Sequence, residues 1–465
     1  MNILSVSMQR LFLSEQDFDV IISWKIIFLF FCVFFILLLS PYCIAIFFLG
    51  LAIYSLFGRK HALESMAISV VIKYANPGLV AFPAAFGLYS WIFLFVASFS
   101  LLLRSKFKNN ALIISLTIFY VVVVCISFWS AYPAVSMLKV TSFYIVVVSV
   151  LSGALSMDES EFVALSRTFF SMLVAIITLS LPLYYIPDIG FMRNGHGFQG
   201  ILNHPQAFGT LFSPLCAWLV VRLGLIKNVQ SLKKYIILFI ITVVCMLISG
   251  SRTSIVSTAM AIFLCFPVFF RARSKNFGVS MRKAAGSFFV VLGFLIVTFS
   301  ISETFSDFLS GFITKGQSDA TISEAFQHSR GRGVEGHLAN FMKSPWIGNG
   351  FGVGFSADFG AKITYLMGIP VSAASEKGIV YTAILEEIGI IGLVPFLFFL
   401  GTLFIRAIRL APSFMAMLFS CLTVNIGEAV LFSVNGNGLV YWVIIGLCLG
   451  SSAHSSLAQP IVRLV

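Results

Sequence analysis

The chain consists of long apolar stretches separated by short polar ones. A helix that crosses a bilayer needs roughly 20 apolar residues in succession, and many of the stretches reach about that length. The candidates are 26–57, 80–103, 110–129, 134–155, 164–186, 204–224, 233–249, 253–271, 283–301, 379–405, 412–432 and 438–451. The first is long enough for one kinked span or for two short spans around Pro41. The pattern predicts an all-α polytopic membrane protein with about twelve transmembrane helices.

Composition argues against a soluble fold. Hydrophobic residues make up 59% of the 465 residues and charged residues only 10%, whereas soluble domains carry about 25% charged residues. We expect no cleavable signal peptide, because a polar stretch precedes the first apolar run and a small-residue cleavage site is lacking. The eight cysteines all lie in apolar runs, without metal-ligand spacing. We therefore expect them to be small core residues, and we expect no metal site.

The net charge of +12 is attributed to membrane topology, and no nucleic-acid partner is expected. Lysine and arginine are enriched in cytoplasmic loops, and helix counting places four basic clusters on one face, assigned to the cytoplasm. The clusters are Arg104, Lys106 and Lys108; Arg222, Lys227, Lys233 and Lys234; Arg271, Arg273, Lys275, Arg282 and Lys283; and Arg406 and Arg409. Arg59, Lys60 and Lys73 are the exception, because their loop falls outside if 26–57 is a single span.

One polar segment, 303–377, is much longer than the other loops, and 13 of its 75 residues are charged. By parity it lies outside the cytoplasm. The predicted organisation is about nine helices in 1–302, a large periplasmic loop with short helices in 303–378, and about three helices in 379–465.

The spacing within the large loop predicts a helix from about 332 to 343, which ends before Pro345 because the residue before proline disfavours the α region. Its apolar positions fall on one side of the helix. They are Val334, Leu338, Phe341 and Met342. The sequence "GNGFGVGF" (348–355) predicts a tight, close-packed turn.

Arginines on the outward side are the first candidates for chemistry. Arg252 lies between two apolar runs in "LISGSRTSIVS" (247–257), and Arg330 and Arg332 precede the predicted loop helix. An interfacial anchor or solvated loop charge would be the ordinary interpretation. The alternative is that these arginines converge on one diphosphate, since a guanidinium binds phosphate in a bidentate manner.

Acid–base candidates lie in the same compartment. Glu376 and Lys377 stand at the mouth of the span that begins near 379, and Glu386 and Glu387 lie inside it. Carboxylates inside a membrane usually line a cavity or pair with a cation. His337 is a possible proton acceptor, although a loop histidine is more often a hydrogen-bonded surface residue.

A weaker candidate is "NHPQAFG" (203–209), an outward loop that leads into a helix with Pro205 at its first position. His204 and Gln206 could contribute hydrogen bonds to a polar ligand. A plain helix-start signal is an equal alternative.

These motifs together resemble the O-antigen polymerase and O-antigen ligase superfamily of bacterial envelope proteins. The resemblance is carried, in the family's order, by "SGSRTS" (249–254), by "SRGRGVEGHLANFMKSPWIGNGFGVGF" (329–355) in the large loop, and by "ILEEIGIIGL" (384–393); "NHPQAFG" is a fourth, weaker element. The motifs span roughly 200–395.

The resemblance implies a multi-pass protein of the bacterial inner membrane. It also implies glycan transfer at the periplasmic face from an undecaprenyl-diphosphate-linked donor, without metal or other cofactor. Arg252 and Arg330 would bind the donor diphosphate, and Arg332, Lys377, His204 and Gln206 are further substrate-binding candidates. Many members carry a His-Asn pair before the Glu-x-Gly ending, but this chain reads "SEKGIVYT" (375–382) there. Glu376 is therefore the substitute base, with His337 as second choice.

Three functions follow as hypotheses. The favoured one is a polymerase that joins repeat units of a surface polysaccharide, with a glycan or lipid-linked acceptor, the bilayer as its surroundings and a chain-length regulator as a further candidate partner. The second is a ligase that passes the glycan to lipid A core or another acceptor. A secondary transporter or lipid-linked glycan flippase is a more distant alternative, which would need charged residues along the bundle interior.

Overall fold

The computed structural model describes residues 22–83, 86–106, 110–193, 197–226, 229–274, 331–353, 362–366, 369–374 and 378–455. The helices are α1 (Trp24–Leu39), α2 (Pro41–Ser55), α3 (Arg59–Lys73), α4 (Gly87–Arg104), α5 (Ala111–Ser127), α6 (Pro133–Leu155), α7 (Glu159–Ser180), α8 (Pro205–Leu223), α9 (Val229–Ile248), α10 (Arg252–Ser274), α11 (Arg332–Lys343), α12 (Val380–Ala407), α13 (Pro412–Thr423) and α14 (Asn437–Ser455). A one-turn helix, Pro187–Gly190, and two 3-10 turns, Leu181–Tyr185 and Val424–Ile426, lie between them.

The protein is an α-helical, multi-pass membrane protein. Five helical segments among the described residues are long and apolar enough to cross a bilayer: Gly87–Arg104, Pro133–Leu155, Glu159–Tyr185, Pro205–Leu223 and Val380–Ala407. Shorter apolar helices accompany them at Trp24–Leu39, Pro41–Ser55, Ala111–Ser127, Arg252–Val268, Pro412–Ile426 and Asn437–Ser451. The predicted segment 283–301 and the predicted boundary at 302/303 lie outside the described residues. The predicted α-helical membrane fold is thus confirmed, whereas the count of about twelve transmembrane helices and the periplasmic side of the large loop stay predictions.

The first apolar run forms two helices, which selects one of the two predicted alternatives. The break is at Ser40, whose backbone is extended and whose hydroxyl accepts a hydrogen bond from the amide of Tyr42. Pro41 occupies the first position of α2, where a missing N–H costs nothing because that group has no partner within the helix.

Helix α3 was not predicted, and the expectation of a loop around Arg59, Lys60 and Lys73 is wrong. Ten of its fifteen residues are buried, and it contacts α2, α4, α7 and α14. Since other helices rather than lipid surround α3, its side chains need not be apolar. Its Glu64 is 3% exposed and accepts hydrogen bonds from the hydroxyls of Tyr54 (2.8 Å) and Thr168 (2.6 Å).

The ends of the helices fall into two groups, joined by contacts between loops. At one end, which we call the basic end, Arg104 donates to the carbonyl of Leu56 and Arg406 donates to the side chain of Asn110. Arg59 forms an ion pair with Glu161 at 2.8 Å, at the start of α7. Arg59 therefore lies at the same end as the predicted cytoplasmic clusters and is no longer an exception to the positive-inside pattern.

The opposite end, which we call the loop end, carries the described segments 74–83, 181–193, 197–204 and 424–436. Lys73 reaches it at the far end of α3, where its amine donates to the carbonyl of Asn435. The side-chain amide of Asn76 joins two of these loops by donating to the carbonyls of Ile189 and Gly200, each at 2.8 Å.

The described part of the large loop contains α11 and a two-stranded antiparallel hairpin, β1 (Lys362–Leu366) and β2 (Ile369–Ala374). The bounds of α11 match the predicted helix, and Ser344 ends it directly before Pro345. The hairpin was not predicted. The apolar positions of α11 do not form its buried side: Leu338 and Met342 are exposed, whereas His337 and Asn340 are buried.

Candidate functional site

Helix α11 is attached to the start of α12 by a cluster of polar side chains, the His337–Glu386 cluster. His337 Nδ1 lies 2.9 Å from the hydroxyl of Thr382, and Nε2 lies 3.6 Å from a carboxylate oxygen of Glu386. The side-chain amide of Asn340 donates to the other carboxylate oxygen of Glu386 at 2.9 Å. The amine of Lys343 donates to the side-chain oxygen of Asn340 at 3.2 Å. The cluster thus holds a buried carboxylate between one helix of the loop and one helix of the bundle.

Helical spacing explains why these residues meet. His337 and Asn340 are three residues apart on α11, and Thr382 and Glu386 are four apart on α12, so each pair occupies one helix face. His337, Asn340 and Glu386 are all less than 9% exposed. The sequence pointed to His337 and Glu386 but missed Asn340 and Thr382, which this spacing could have identified.

The glycine-rich turn after α11 pairs with a break in α12. Gly389 has φ +59° inside the helix, and this break frees backbone groups that the turn satisfies. The amides of Asn349 and Gly350 donate to the carbonyls of Glu386 (2.9 Å) and Glu387 (2.8 Å). A side chain on Gly348 would overlap with the Glu387 backbone. The predicted tight turn is confirmed over its described residues, 348–353, and glycine is required at 348 because the two backbones touch.

Glu387 also belongs to this turn. One of its carboxylate oxygens accepts a hydrogen bond from the amide of Gly352 at 2.7 Å, and Lys139 donates to the Gly352 carbonyl at 2.6 Å. Phe351, in the same turn, packs into the hydrophobic core, and its ring centroid lies 5.2 Å from that of Phe432. The turn is thereby fixed to α6 as well as to α12.

The turn before α10 presents Arg252 at the loop end. Gly250 has φ +65°, which reverses the chain between α9 and α10. Ser251 packs so closely against Gly209 of α8 that a side chain on Gly209 would overlap with it. The amide of Phe198 donates to the carbonyl of Ile248 at 3.1 Å. The segment 249–254, which we call the Arg252 turn, and the segment 203–209 therefore pack against each other.

The Arg252 turn and the His337–Glu386 cluster lie at the same end of the bundle, with the segment 422–427 between them. Thr253 packs against Gly427, where an added Cβ would lie 2.7 Å from the threonine side chain. Tyr381, next to Thr382, donates its hydroxyl to the carbonyl of Leu422 at 3.3 Å. The structure thus brings together segments far apart in sequence.

His204 begins α8 as predicted for a helix start. Its Nδ1 accepts a hydrogen bond from the amide of Gln206 at 3.0 Å, and Pro205 is the first helical residue. Capping accounts for this part of the motif, and the binding role of His204 and Gln206 stays a prediction.

Lys73 is a loop-end cation that the sequence analysis did not treat as a site residue. Besides Asn435, its amine lies 3.5 Å from the hydroxyl of Ser90. The carbonyl of the adjacent Tyr74 accepts a hydrogen bond from the amide of Asn203 at 2.7 Å. Lys73 is therefore a neighbour of the 203–209 segment. The sequence could have identified Lys73 as a candidate, because it departs from the positive-inside pattern.

Three predicted site residues, Arg330, Glu376 and Lys377, lie outside the described residues, and so does the side chain of Arg332, the first residue of α11. Within the described part of the chain, no group of three or more His, Cys, Asp or Glu side chains could hold a metal ion.

No protein-family model matches the chain, and a search of curated proteins gives no match either.

Proposed function

We propose that the chain is a membrane glycosyltransferase. It would polymerise undecaprenyl-diphosphate-linked repeat units of a surface polysaccharide at the periplasmic face of the bacterial inner membrane. The loop end would face the periplasm, and the basic end, with Arg59, Arg104 and Arg406, would face the cytoplasm in agreement with the positive-inside rule.

The convergence of the motif segments is the observation that supports this proposal. The four segments that carry the family resemblance are spread over residues 203–393 of the chain, yet their described parts pack in two pairs at one end of the bundle. In one pair, 203–209 packs on the Arg252 turn. In the other, α11 and its glycine turn pack on the broken start of α12.

The proposed reaction is a displacement at the anomeric carbon of the donor sugar. An acceptor hydroxyl forms the new C–O bond, the bond from the anomeric carbon to the diphosphate breaks, and the lipid diphosphate leaves with the electron pair. Arg252 and Arg330 would stabilise the charge that develops on the diphosphate. Glu376 would accept the hydroxyl proton, a role worth about 10²–10⁴-fold in rate.

The contacts of His337 favour Glu376 as the base. A general base must reach the proton that it removes, but His337 is 7% exposed and both of its ring nitrogens face protein groups, Thr382 and Glu386. We assign His337 to positioning α11 on α12.

A ligase would use the same donor site with a different acceptor, such as lipid A core. A transporter or flippase would need charge in the bundle interior, and Glu64 is such a group. Both Glu64 carboxylate oxygens accept hydrogen bonds from hydroxyls, which is the arrangement expected of a structural carboxylate.

The test supplies the purified protein with undecaprenyl-diphosphate-linked oligosaccharide. Lengthened lipid-linked chains would support the polymerase. Transfer of the glycan exclusively to added lipid A core would support the ligase. Movement of the lipid across the vesicle membrane without glycan transfer would overturn both.

Variants locate the reaction. Arg252→Ala, Arg330→Ala and Glu376→Gln are each expected to lower the rate at least about 10²-fold, since each removes charge stabilisation or the base. The matched control is Arg409→Ala, which removes an exposed arginine at the basic end and should keep the full rate. Full activity in all three loop-end variants would refute the assigned site.

A further inference from the structure

Three large apolar side chains lie exposed along α11 and the residues after it. Leu338 is 44% exposed, Met342 74% and Trp346 65%. Leu338 and Met342 follow one edge of the helix because they are four residues apart, and Trp346 comes four residues later, just past the helix end. We call these three residues the apolar edge.

The side of α11 that faces the protein carries the polar residues His337 and Asn340, whereas the charged Glu335 and Lys343 are exposed. His337 and Asn340 are buried against Glu386, opposite the apolar edge. A helix on the surface of a soluble protein has the reverse arrangement, with its apolar stripe in the core and its polar side in water. The orientation of α11 therefore suits a surrounding medium that is itself apolar.

Helix α11 runs in the same direction as α12, from the loop end towards the bundle. His337 contacts Thr382, near the start of α12. Further along, the carbonyl of Trp346 accepts a hydrogen bond from the amide of Ile391 at 3.0 Å. The C-terminal part of α11 is therefore the part nearest to the membrane-crossing portion of α12.

The apolar edge continues into the exposed apolar face of α12. Ile391 is 45% exposed and Val394 63%, and α12 is one of the helices long and apolar enough to cross the bilayer. Trp346 is joined to this face directly by the bond to Ile391. The exposed Lys343 lies between Met342 and Trp346, with its amine 3.2 Å from the side-chain oxygen of Asn340, and a lysine in this position can extend its amine towards the headgroups while its stem lies against apolar surface.

A second tryptophan marks the same depth. Trp129, at the end of α5, is 70% exposed, and its loop is bonded to the glycine turn, because the amide of Ala131 donates to the carbonyl of Asn349 at 3.2 Å. Exposed tryptophans gather where hydrocarbon meets headgroups. Trp129 and Trp346 therefore place that boundary beside the C-terminal end of α11.

We propose that α11 descends into the interfacial layer of the bilayer and that its apolar edge binds lipid of the loop-end leaflet. Trp346 and Met342 contact acyl chains, Leu338 lies among the headgroups, and Glu335, at the start of the helix, reaches water. The His337–Glu386 cluster then stands at headgroup depth instead of in the water above the membrane. This inference concerns the position of α11 and is independent of the proposed glycosyl transfer.

The experiment measures depth with a fluorophore on single cysteines in lipid nanodiscs, where both faces are accessible. Met342→Cys, Leu338→Cys and Glu335→Cys are labelled with bimane in a background without the partly or fully exposed Cys32, Cys43 and Cys125. Val394→Cys is the lipid-facing reference and Ser160→Cys, exposed at the basic end, is the aqueous reference. Nitroxide-bearing lipids and iodide serve as the two quenchers.

The expected result is a gradient. Lipid nitroxide should quench the label at 342 nearly as strongly as at 394 and the label at 338 less, while iodide quenches the label at 335 as at 160. Equal iodide quenching at all three positions of α11 would place the helix in water. Protection of 342 from both quenchers would mean that protein covers the edge. Either outcome overturns the proposal.

Every variant is first checked for monodisperse elution in detergent. If the cysteine at 342 prevents folding, Trp346→Phe gives a second measurement without a label. Brominated lipids should quench a smaller fraction of the tryptophan emission in this variant than in the parent, and an unchanged fraction would contradict the contact between Trp346 and lipid.

Discussion

Glu386 is a carboxylate enclosed in protein, and its neighbours explain how it is tolerated there. Burying a charged group is costly unless hydrogen bonds or opposite charges replace its water. The Asn340 amide supplies one such bond at 2.9 Å, and the His337 ring lies 3.6 Å away. Both of these partners come from α11. The carboxylate therefore depends on the loop helix for its solvation, and the loop helix depends on the carboxylate for its attachment.

Replacing Asn340 tests this dependence. Asn340→Ala removes the donor to a buried carboxylate and should destabilise the protein by about 1–3 kcal/mol, the usual cost of an unsatisfied buried polar group. The measurement is the thermal unfolding midpoint of the purified protein in detergent.

The control for this variant is Ala339→Ser, at the neighbouring exposed position, which should change stability by no more than about 0.5 kcal/mol. Equal midpoints for Asn340→Ala and the parent would mean that Glu386 does not rely on the amide.

Among the elements, α12 is unusual because its backbone is kinked at Gly389, where the helical hydrogen bonds are interrupted. The amides of Ile390 and Ile391, which follow Gly389, donate to the carbonyls of Pro345 and Trp346. A left-handed φ of +59° at Gly389 makes this exchange of partners possible. The break is thus a docking point for the glycine turn.

Two glycines of α12 provide a matched comparison. Gly389→Ala should destabilise the protein by more than about 1 kcal/mol, because alanine disfavours a positive φ and its Cβ would lie 2.5 Å from the backbone of Trp346. Gly401→Ala, where the added Cβ meets nothing within 4 Å, should be neutral or stabilising by up to about 1 kcal/mol. The measurement is the thermal unfolding midpoint of each variant in the same detergent. A midpoint for Gly389→Ala at or above that for Gly401→Ala would contradict the role of Gly389 in docking the glycine turn.

The bounds of α11 could be predicted from the sequence, but its orientation could not. Pro345 limits the helix whatever its environment, so the predicted end is confirmed. Leu338 and Met342 would form the buried side of a helix surrounded by water, but both are exposed. Helical periodicity identifies two faces, yet the surrounding medium and the partner residues decide which one is buried. Glu386, 46 residues further along the chain from Asn340, supplies the polar partner that periodicity alone does not reveal.

The whole molecule has a basic end and a loop end, and this polarity can be measured. In spheroplasts of a bacterial host, a membrane-impermeant maleimide should label Tyr185→Cys, because Tyr185 is 85% exposed at the loop end. Ser160→Cys, exposed at the basic end beside Glu161, should be labelled only after the membrane is opened.

The reverse labelling pattern would invert the topology. It would place the Arg252 turn and the His337–Glu386 cluster in the cytoplasm, and the proposed periplasmic reaction would then be excluded. The expectation itself follows from the positive-inside rule.

Hydropathy predicted most of the bundle, because most of its helices present apolar residues to lipid. It failed for α3, whose Arg59, Lys60, Glu64 and Lys73 interrupt any apolar run. Hydropathy does identify enclosed helices that are apolar, such as Pro205–Leu223, most of which is buried. It misses α3 because enclosure by other helices permits the polar residues that interrupt the apolar run. The convergence of the Arg252 turn with α12 through 422–427 was likewise inaccessible, since short motifs carry no information on which segments lie between them.

The enclosed position of α3 has a consequence for the assembly of the protein during synthesis. The Tyr54 partner of Glu64 is made ten residues earlier, but the Thr168 partner is made 104 residues later. Helix α3 is too polar to be stable among lipids by itself, so it must pack against neighbouring helices while the chain is still being synthesised. We expect α3 to pack first against α2 and α4 and to reach its final position in the membrane only after α7 has been inserted.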